Sequence, residues 1–223
     1  MIIVGDIGNS ETKICLLNSK NKIIKRITID TKKINSSLLK KTLSNSNIKI
    51  NSIRKCLFCS VVPNSFSKVK KFFKKIYKIK CYELKKLKLD ELIKIKVNYK
   101  QIGSDRLANA ISVINNKDNF IILDFGTATT FDVLIKDIYQ GGVIAPGVRL
   151  SLNTLADKAS QIPFIDLKKT NKIIGLNTIS AVRAGFFLGY QGLIDNIINL
   201  IKKDTKKSFK IIITGGLSDL FKN

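Results

Sequence analysis

The chain contains no histidine. That excludes Ser-His-Asp and Cys-His triads, His-ligated zinc and imidazole acid–base chemistry. An enzyme built from these residues takes its general base from a carboxylate. Arginine is also scarce, at five residues in 223, which weighs against a reader of base edges, where Arg makes the commonest specific contact. The four cysteines, Cys15, Cys56, Cys59 and Cys81, are too few for a disulfide framework in a chain of this size. Cys56 and Cys59 form a single CxxC, with no second CxxC and no His to complete a zinc site. Their flanks, Leu57, Phe58 and Val61, read as a strand, where positions three apart face opposite sides. Buried free thiols in a reducing cytoplasm are expected. No apolar run approaches the roughly 18 residues of a membrane span. Met1 leads straight into a strand, without the basic start of a signal peptide. A soluble, cytoplasmic protein follows, with no membrane partner.

What is abundant is lysine. The formal charge is +24, from 40 basic and 16 acidic side chains. Lys, Ile and Asn together supply 90 of the 223 residues, and all three have A/T-rich codons. The excess charge therefore reads as codon bias spread over tolerant surface positions, and a nucleic-acid partner is not expected. Hydrophobic residues make up 44% of the chain, enough to bury a core.

Along the chain, short buried-strand patterns at 2–6, 13–17 and 23–29 form a meander broken at Gly8-Asn9-Ser10. A helix is predicted near 36–43 and a strand near 56–62, stopped by Pro63. An amphipathic helix follows, with Phe66, Val69, Phe72, Phe73 and Ile76 on one face. Residues 85–98 fit neither period. Leu107, Ala110, Ile111 and Ile114 repeat at helical spacing. A second set of strands covers 120–124, 130–135 and a run ending at Ile144. Helices at 149–158 and 178–202 lead to a last strand at 210–214 and a Gly215-Gly216 turn.

The chain thus contains itself twice. Asp6-Ile7-Gly8-Asn9-Ser10 and Asp124-Phe125-Gly126-Thr127-Ala128 both follow an apolar strand, and each is followed by two more. Two lobes are predicted, at 1–116 and 117–223, with an Asp-x-Gly turn from each facing a shared cleft. A turn rich in Gly and small hydroxyl residues presents several backbone N–H groups to one anion. Ser10, Thr12, Thr127, Thr129 and Thr130 add hydroxyls. Asp6 and Asp124 can hold a metal ion or its waters, and Mg²⁺ favours one or two carboxylates combined with phosphates. This pattern suits a nucleoside triphosphate. There is no GxxxxGK[ST] and no protein-kinase signature. Gly103-Ser104-Asp105-Arg106 opens a helix, where Asp105 could accept the proton of an attacking hydroxyl and Arg106 could bind a carboxylate.

These residues resemble the type III pantothenate kinases, within the acetate and sugar kinase, Hsp70 and actin superfamily. Residues 6–10 resemble that family's first phosphate motif. Gly103-Ser104-Asp105-Arg106 resembles its substrate motif, with Ser104 where Ala is usual. Asp124-Phe125-Gly126-Thr127-Ala128-Thr129-Thr130 resembles its second phosphate motif. Gly141-Gly142-Val143-Ile144-Ala145-Pro146-Gly147, Gly175-Leu176-Asn177-Thr178 and Thr214-Gly215-Gly216 follow in the family's order. The resemblance implies an α/β, actin-like (ribonuclease H-like) fold of two duplicated lobes, each with a mixed five-stranded sheet flanked by helices. It implies ATP-dependent phosphorylation of the primary hydroxyl of pantothenate, the first step towards coenzyme A. ATP would be held by Asp6, Ile7, Gly8, Asn9, Ser10, Glu11, Thr12 and Lys13, with Thr127 adding a contact. Pantothenate would be held by Tyr99, Gly103, Ser104, Asp105, Arg106 and Thr178, with Asp105 as proton acceptor. Asp124 would bind a monovalent cation, K⁺ or NH₄⁺, and Asp6 would hold Mg²⁺ through water. The family is dimeric, so a homodimer is implied.

Two departures stand out. Family members carry a Tyr further upstream of the substrate Gly, with Asn-Pro between, whereas Tyr99 lies four residues before Gly103 and no Pro intervenes. Either a short deletion leaves Tyr99 in role, or Tyr99 stands at the Pro position. The chain also stops seven residues after Gly216, where relatives continue into a further helix and strand region. Two other readings stay open: another ATPase or sugar kinase of the same fold, and a nucleic-acid-binding or regulatory protein that kept the fold without catalysis.

Overall fold

The N-terminal apolar run becomes β1 (Ile2–Ile7), and the polar turn after it returns the chain as β2 (Glu11–Leu17) and β3 (Ile23–Asp30). The computed structural model describes residues 1–44 and 53–222. In it β1 pairs antiparallel with β2 and parallel with β4 (Lys55–Ser60), and β4 pairs parallel with β5 (Cys81–Glu83). The sheet order is β3-β2-β1-β4-β5. Helices α1 (Ser36–Ser44) and α2 (Pro63–Phe72) cover it, α2 opening on a proline whose missing N–H costs nothing at that position. Ile3, Ile7, Ile14, Phe58, Phe72 and Phe73 centre the core of this unit.

The amphipathic helix does not run on to Ile76 as its spacing predicts. After Phe72 the chain widens into a π-helical turn, Phe73–Tyr77, closed by Lys78 at φ 57°. The extra residue in that turn shifts the helical phase. Phe73 stays fully buried, Tyr77 packs on Phe72 and Phe73, and Ile76 swings outward to 43% exposure.

The second unit repeats the plan with β7 (Asn119–Phe125), β8 (Ala128–Ile135), β9 (Ile138–Pro146) and β10 (Lys210–Gly215). β7 pairs antiparallel with β8 and parallel with β10, and β8 pairs antiparallel with β9. The fifth strand breaks the repeat. β6 (Lys94–Ile95), from the stretch with neither period, adds in parallel to β9, giving the order β10-β7-β8-β9-β6. Both sheets are therefore five-stranded and mixed, but four strands in each belong to the duplication. β9 runs two residues past Ile144, with Pro146 at its end, where a ladder N–H is dispensable.

By its contacts the chain divides into Met1–Leu92 with Asn98–Ser112, and Ile93–Val97 with Val113–Asn223. The first unit includes α3 (Ser104–Val113) up to Ser112. The second includes α4 (Val148–Lys158), α5 (Thr178–Thr205) and α6 (Ser218–Phe221). A reciprocal cap between Asn177 and Ser180 starts α5, and Phe187, Tyr190 and Ile194 on it pack with Ile121, Leu123 and Phe131. The Tyr190 hydroxyl donates to the Pro146 carbonyl, tying α5 to the end of β9. No helix among the described residues is long and apolar enough to cross a membrane.

All four cysteines are free, but only two are buried as expected. Cys56 and Cys81 face each other across β4 and β5 with sulfurs 3.3 Å apart, while Cys15 and Cys59 are half-buried. The opposite-face reading holds: Cys56 enters the core and Cys59 does not.

Two substitutions test this packing. Phe73→Ala should lower unfolding stability by about 3–5 kcal/mol, read by denaturant titration. Gly147 caps α4, and a Cβ there would lie 2.1 Å from the Thr127 carbonyl oxygen and 2.7 Å from its carbon. Backbone cannot yield as a side chain does, so Gly147→Ala should destabilise by about 1–3 kcal/mol in the same titration.

Candidate functional site

β1 is an inner strand, bonded on both edges, and it carries Asp6 to a fixed place. Asp6 stands opposite Lys13 on β2 and Cys59 on β4. The turn that follows is closed by the Gly8 N–H donating to the Glu11 carbonyl at 3.0 Å. Thr31 locks it from below. Its hydroxyl donates to the Gly8 carbonyl at 2.8 Å and lies 2.9 Å from the Thr12 hydroxyl, and its N–H donates to the Ser10 carbonyl at 3.0 Å. Ile7 and Thr12 are therefore fully buried supports, whereas Asn9, Ser10 and Glu11 are exposed and Gly8 and Lys13 are half-buried.

The second turn is built alike. Asp124 on β7 stands opposite Thr130 and Thr214, and the Gly126 N–H donates to the Ala128 carbonyl at 3.0 Å. Thr127 is exposed at the tip. Gly215 has φ 96°, and a Cβ there would lie 2.4 Å from the Phe125 nitrogen and 2.7 Å from the Asp124 carboxylate. Only glycine leaves that carboxylate its place. Thr129, read as a donor to phosphate, is fully buried, and its hydroxyl meets no hydrogen-bond partner among the described residues.

Residues 103–106 open α3 in the first unit. A Cβ on Gly103 would sit 2.3 Å from Asp105 Oδ1, so the glycine gives Asp105 room for its rotamer. That oxygen accepts from the Arg106 N–H at 2.8 Å. Ser104 is 2% exposed and its hydroxyl donates to Glu83 at 2.7 Å. Tyr99, in a 3₁₀ turn, donates its hydroxyl to the Lys85 carbonyl at 2.7 Å. Lys85 returns two bonds, to the carbonyls of Lys100 at 2.9 Å and Ile102 at 2.6 Å. Residues 83–85 thus brace the whole approach to Asp105. Thr178 starts α5 in the second unit and is exposed.

Asp6 meets Cys59, and the charge of Asp105 reaches the same thiol. The thiol lies 3.4 Å from Asp6 Oδ1 and 3.6 Å from the Gly5 carbonyl. Its acidity is pushed well below that of an ordinary thiol by burial first, then by the charges of Asp6 and Asp105. Among the described residues no group of three or more His, Cys, Asp or Glu side chains could cage a metal. The single Asp6 carboxylate near the end of β1 fits a hard cation shared with phosphate and water, the usual state of Mg²⁺ at a nucleotide. The Asp124 carboxylate, an oxygen ligand beside the backbone of a tight turn, suits a hard cation as well.

Sequence reasoning missed Cys59, Thr31, Glu83 and Lys85. The CxxC spacing placed Cys59 off the core face, but nothing local points to its partner. Thr31, Glu83 and Lys85 carry no motif.

A family model of type III pantothenate kinases matches residues 2–200. The type III pantothenate kinase of Pelagibacter ubique (strain HTCC1062) is 79% identical over 223 residues, covering all of this chain and 90% of that protein. The one from Sulfurihydrogenibium sp. (strain YO3AOP1) is 35% identical, over 97% of this chain and 88% of its own length. Among solved structures, the activator of the 2-hydroxyisocaproyl-CoA dehydratase from Clostridium difficile, with bound ADPNP, superposes with TM-score 0.54 at 12% identity, covering 99% of this chain and 81% of that one. At that identity the likeness speaks for the fold alone, the actin-like ATPase fold. With its repeated strand-and-turn units and Gly103-Ser104-Asp105-Arg106 at the start of α3, the chain belongs to the type III pantothenate kinase family.

Proposed function

We propose that this chain transfers the γ-phosphoryl group of ATP to the primary hydroxyl of pantothenate, giving 4'-phosphopantothenate and ADP. The observation that carries the reading is the placement of two carboxylates in the first unit, Asp6 at the end of β1 and Asp105 at the start of α3, whose charges both act on the Cys59 thiol. It puts the carboxylate of a phosphate-binding turn in the same unit as a carboxylate that can take a proton from the acceptor. As the new O–P bond forms, the hydroxyl proton passes to Asp105 and the bond from the γ-phosphorus to ADP breaks. Phosphoryl transfer of this kind depends on position and charge neutralisation more than on covalent chemistry.

The turn from Asp6 to Lys13, with Ile7, Gly8, Asn9, Ser10, Glu11 and Thr12, holds the ATP phosphates, and Thr127 adds a contact. The backbone of this turn is already shaped by Thr31. When bound, Mg²⁺ neutralises phosphate oxygens, with Asp6 holding it through water. Asp124 holds a monovalent cation, K⁺ or NH₄⁺. Gly103, Ser104, Asp105, Arg106 and Thr178 hold pantothenate. Tyr99 joins them through its ring and the accepting side of its hydroxyl, since its proton is directed at Lys85. A reducing cytoplasm suits an enzyme with four free thiols.

The second unit supports a homodimer. Ile144, Leu150, Phe164, Ile173, Ile174 and Leu176 are all at least half exposed there. An open groove of about 560 Å³, lined by Pro146, Leu150, Leu155 and Phe186 among others, adds to this apolar surface. Exposed apolar area of this kind marks an interface.

Two measurements check the reading. With Mg²⁺ and K⁺, ADP release should depend on pantothenate, and Asp105→Asn should lower kcat by about 10²–10⁴-fold. Release indifferent to pantothenate would defeat the assignment. Light scattering should give twice the 24.9 kDa chain mass, and Leu150→Lys should shift it towards the single chain.

A further inference from the structure

We propose that Cys59 is a positioning residue of the phosphate site: its S–H donates to Asp6 and sets the carboxylate for the cation that accompanies the nucleotide. The inference rests on the kinase reading for the identity of the nucleotide. Its geometry stands apart from that reading.

Cys59 is the last residue but one of β4, directly across the parallel ladder from Asp6. Partners in such a ladder project on the same side of the sheet. The sulfur lies 3.4 Å from Asp6 Oδ1, and its other near acceptor, the Gly5 carbonyl, is more distant at 3.6 Å. Both strands are inner members of the sheet, so neither side chain can drift from the other. Gly5 adds a second constraint: a Cβ there would lie 2.1 Å from the Phe58 ring and 2.9 Å from the Lys13 carbonyl, so β1 and β4 are packed without slack just before this pair.

The chemistry of the thiol suits the task. With one polar hydrogen and the Asp6 carboxylate as its nearer acceptor, it presents a donor to that carboxylate. A thiol is also a weak donor. It can fix the direction of a carboxylate while leaving most of the negative charge for a cation. The duplicated unit repeats the arrangement. Thr214 on β10 stands across the parallel ladder from Asp124, as Cys59 does from Asp6. In both places a small side chain with one polar hydrogen neighbours the strand-ending carboxylate.

The test is calorimetric binding of a non-hydrolysable ATP analogue (AMP-PNP) with Mg²⁺, pantothenate omitted. Wild type is compared with Cys59→Ser, Cys59→Ala and Cys59→Val. Ala and Val both remove the donor, and Val nearly keeps the volume, so whichever of them melts like wild type carries the comparison. The donor-less variant should bind about 3–10-fold more weakly, within the range for an ordinary hydrogen bond, because a thiol is a weak donor. Cys59→Ser should return to within about threefold of wild type, because a hydroxyl supplies the same proton. In an Asp6→Asn background, removing the donor should cost nothing further, as a double-mutant cycle requires of a residue that acts through Asp6.

Wild-type affinity in the donor-less variant would overturn the proposal. So would a Ser variant as weak as Ala, or a loss that persists in full in the Asp6→Asn background. A wild type that binds the analogue yet shows no pantothenate-dependent turnover would defeat the kinase reading and leave this result intact. A wild type that does not bind the analogue at all would overturn both.

Discussion

β1 and β7 are hydrogen-bonded on both edges, and that bonding decides where Asp6 and Asp124 stand. A strand held on one edge can twist or fray. A strand held on both moves only with its sheet, and here Ile3, Ile7, Ile121 and Leu123 bury each strand in a core as well. The polar turns after them inherit that rigidity. Thr31 anchors one turn from beneath, and Gly147 and Gly215 shape the surroundings of the other. A reaction that gains most from orientation needs fixed groups, and a strand end inside a sheet is a firmer mount than a loop.

The duplicated meanders were legible because their signals are local. Apolar runs bounded by Asp-x-Gly turns declare strand, end and turn within ten residues. Helix α3 was legible for the same reason, from Gly103 and the spacing of Leu107 and Ala110. What escaped depends on pairs far apart in the chain. Cys59 meets Asp6 across 53 positions, and Ser104 meets Glu83 across 21. The π-helical turn escaped for another reason: helical periodicity assumes a constant phase, and Phe73–Tyr77 changes it. β6 is two residues long, too short for any alternation to register. Thr12 and Thr129 show a further limit, since a hydroxyl in a motif can be read from sequence but its burial cannot.

Charge works at two ranges. The chain carries +24, and Lys70, Lys74 and Lys86 are among its exposed lysines. A field of that sign favours the approach of phosphate and carboxylate anions over about a Debye length, ~10 Å at 0.1 M salt. At close range the sign reverses, because Asp6 and Asp105 share a neighbourhood whose thiol stays neutral. Anionic substrates drawn in by the surface therefore meet a locally acidic neighbourhood.

The fifth strand of the second sheet has a different consequence. β6 lies at 94–95, yet the residues just after it, 98–112, rejoin the first unit. The backbone accordingly passes from one unit to the other three times, near 92, 97 and 112. Two halves built on one sheet plan are therefore interleaved along the chain. No single cut yields both as whole pieces: a break before residue 93 strips the first of α3, and one after residue 112 deprives the second of an edge strand. Unlike modules joined by one linker, neither unit corresponds to one contiguous stretch of chain.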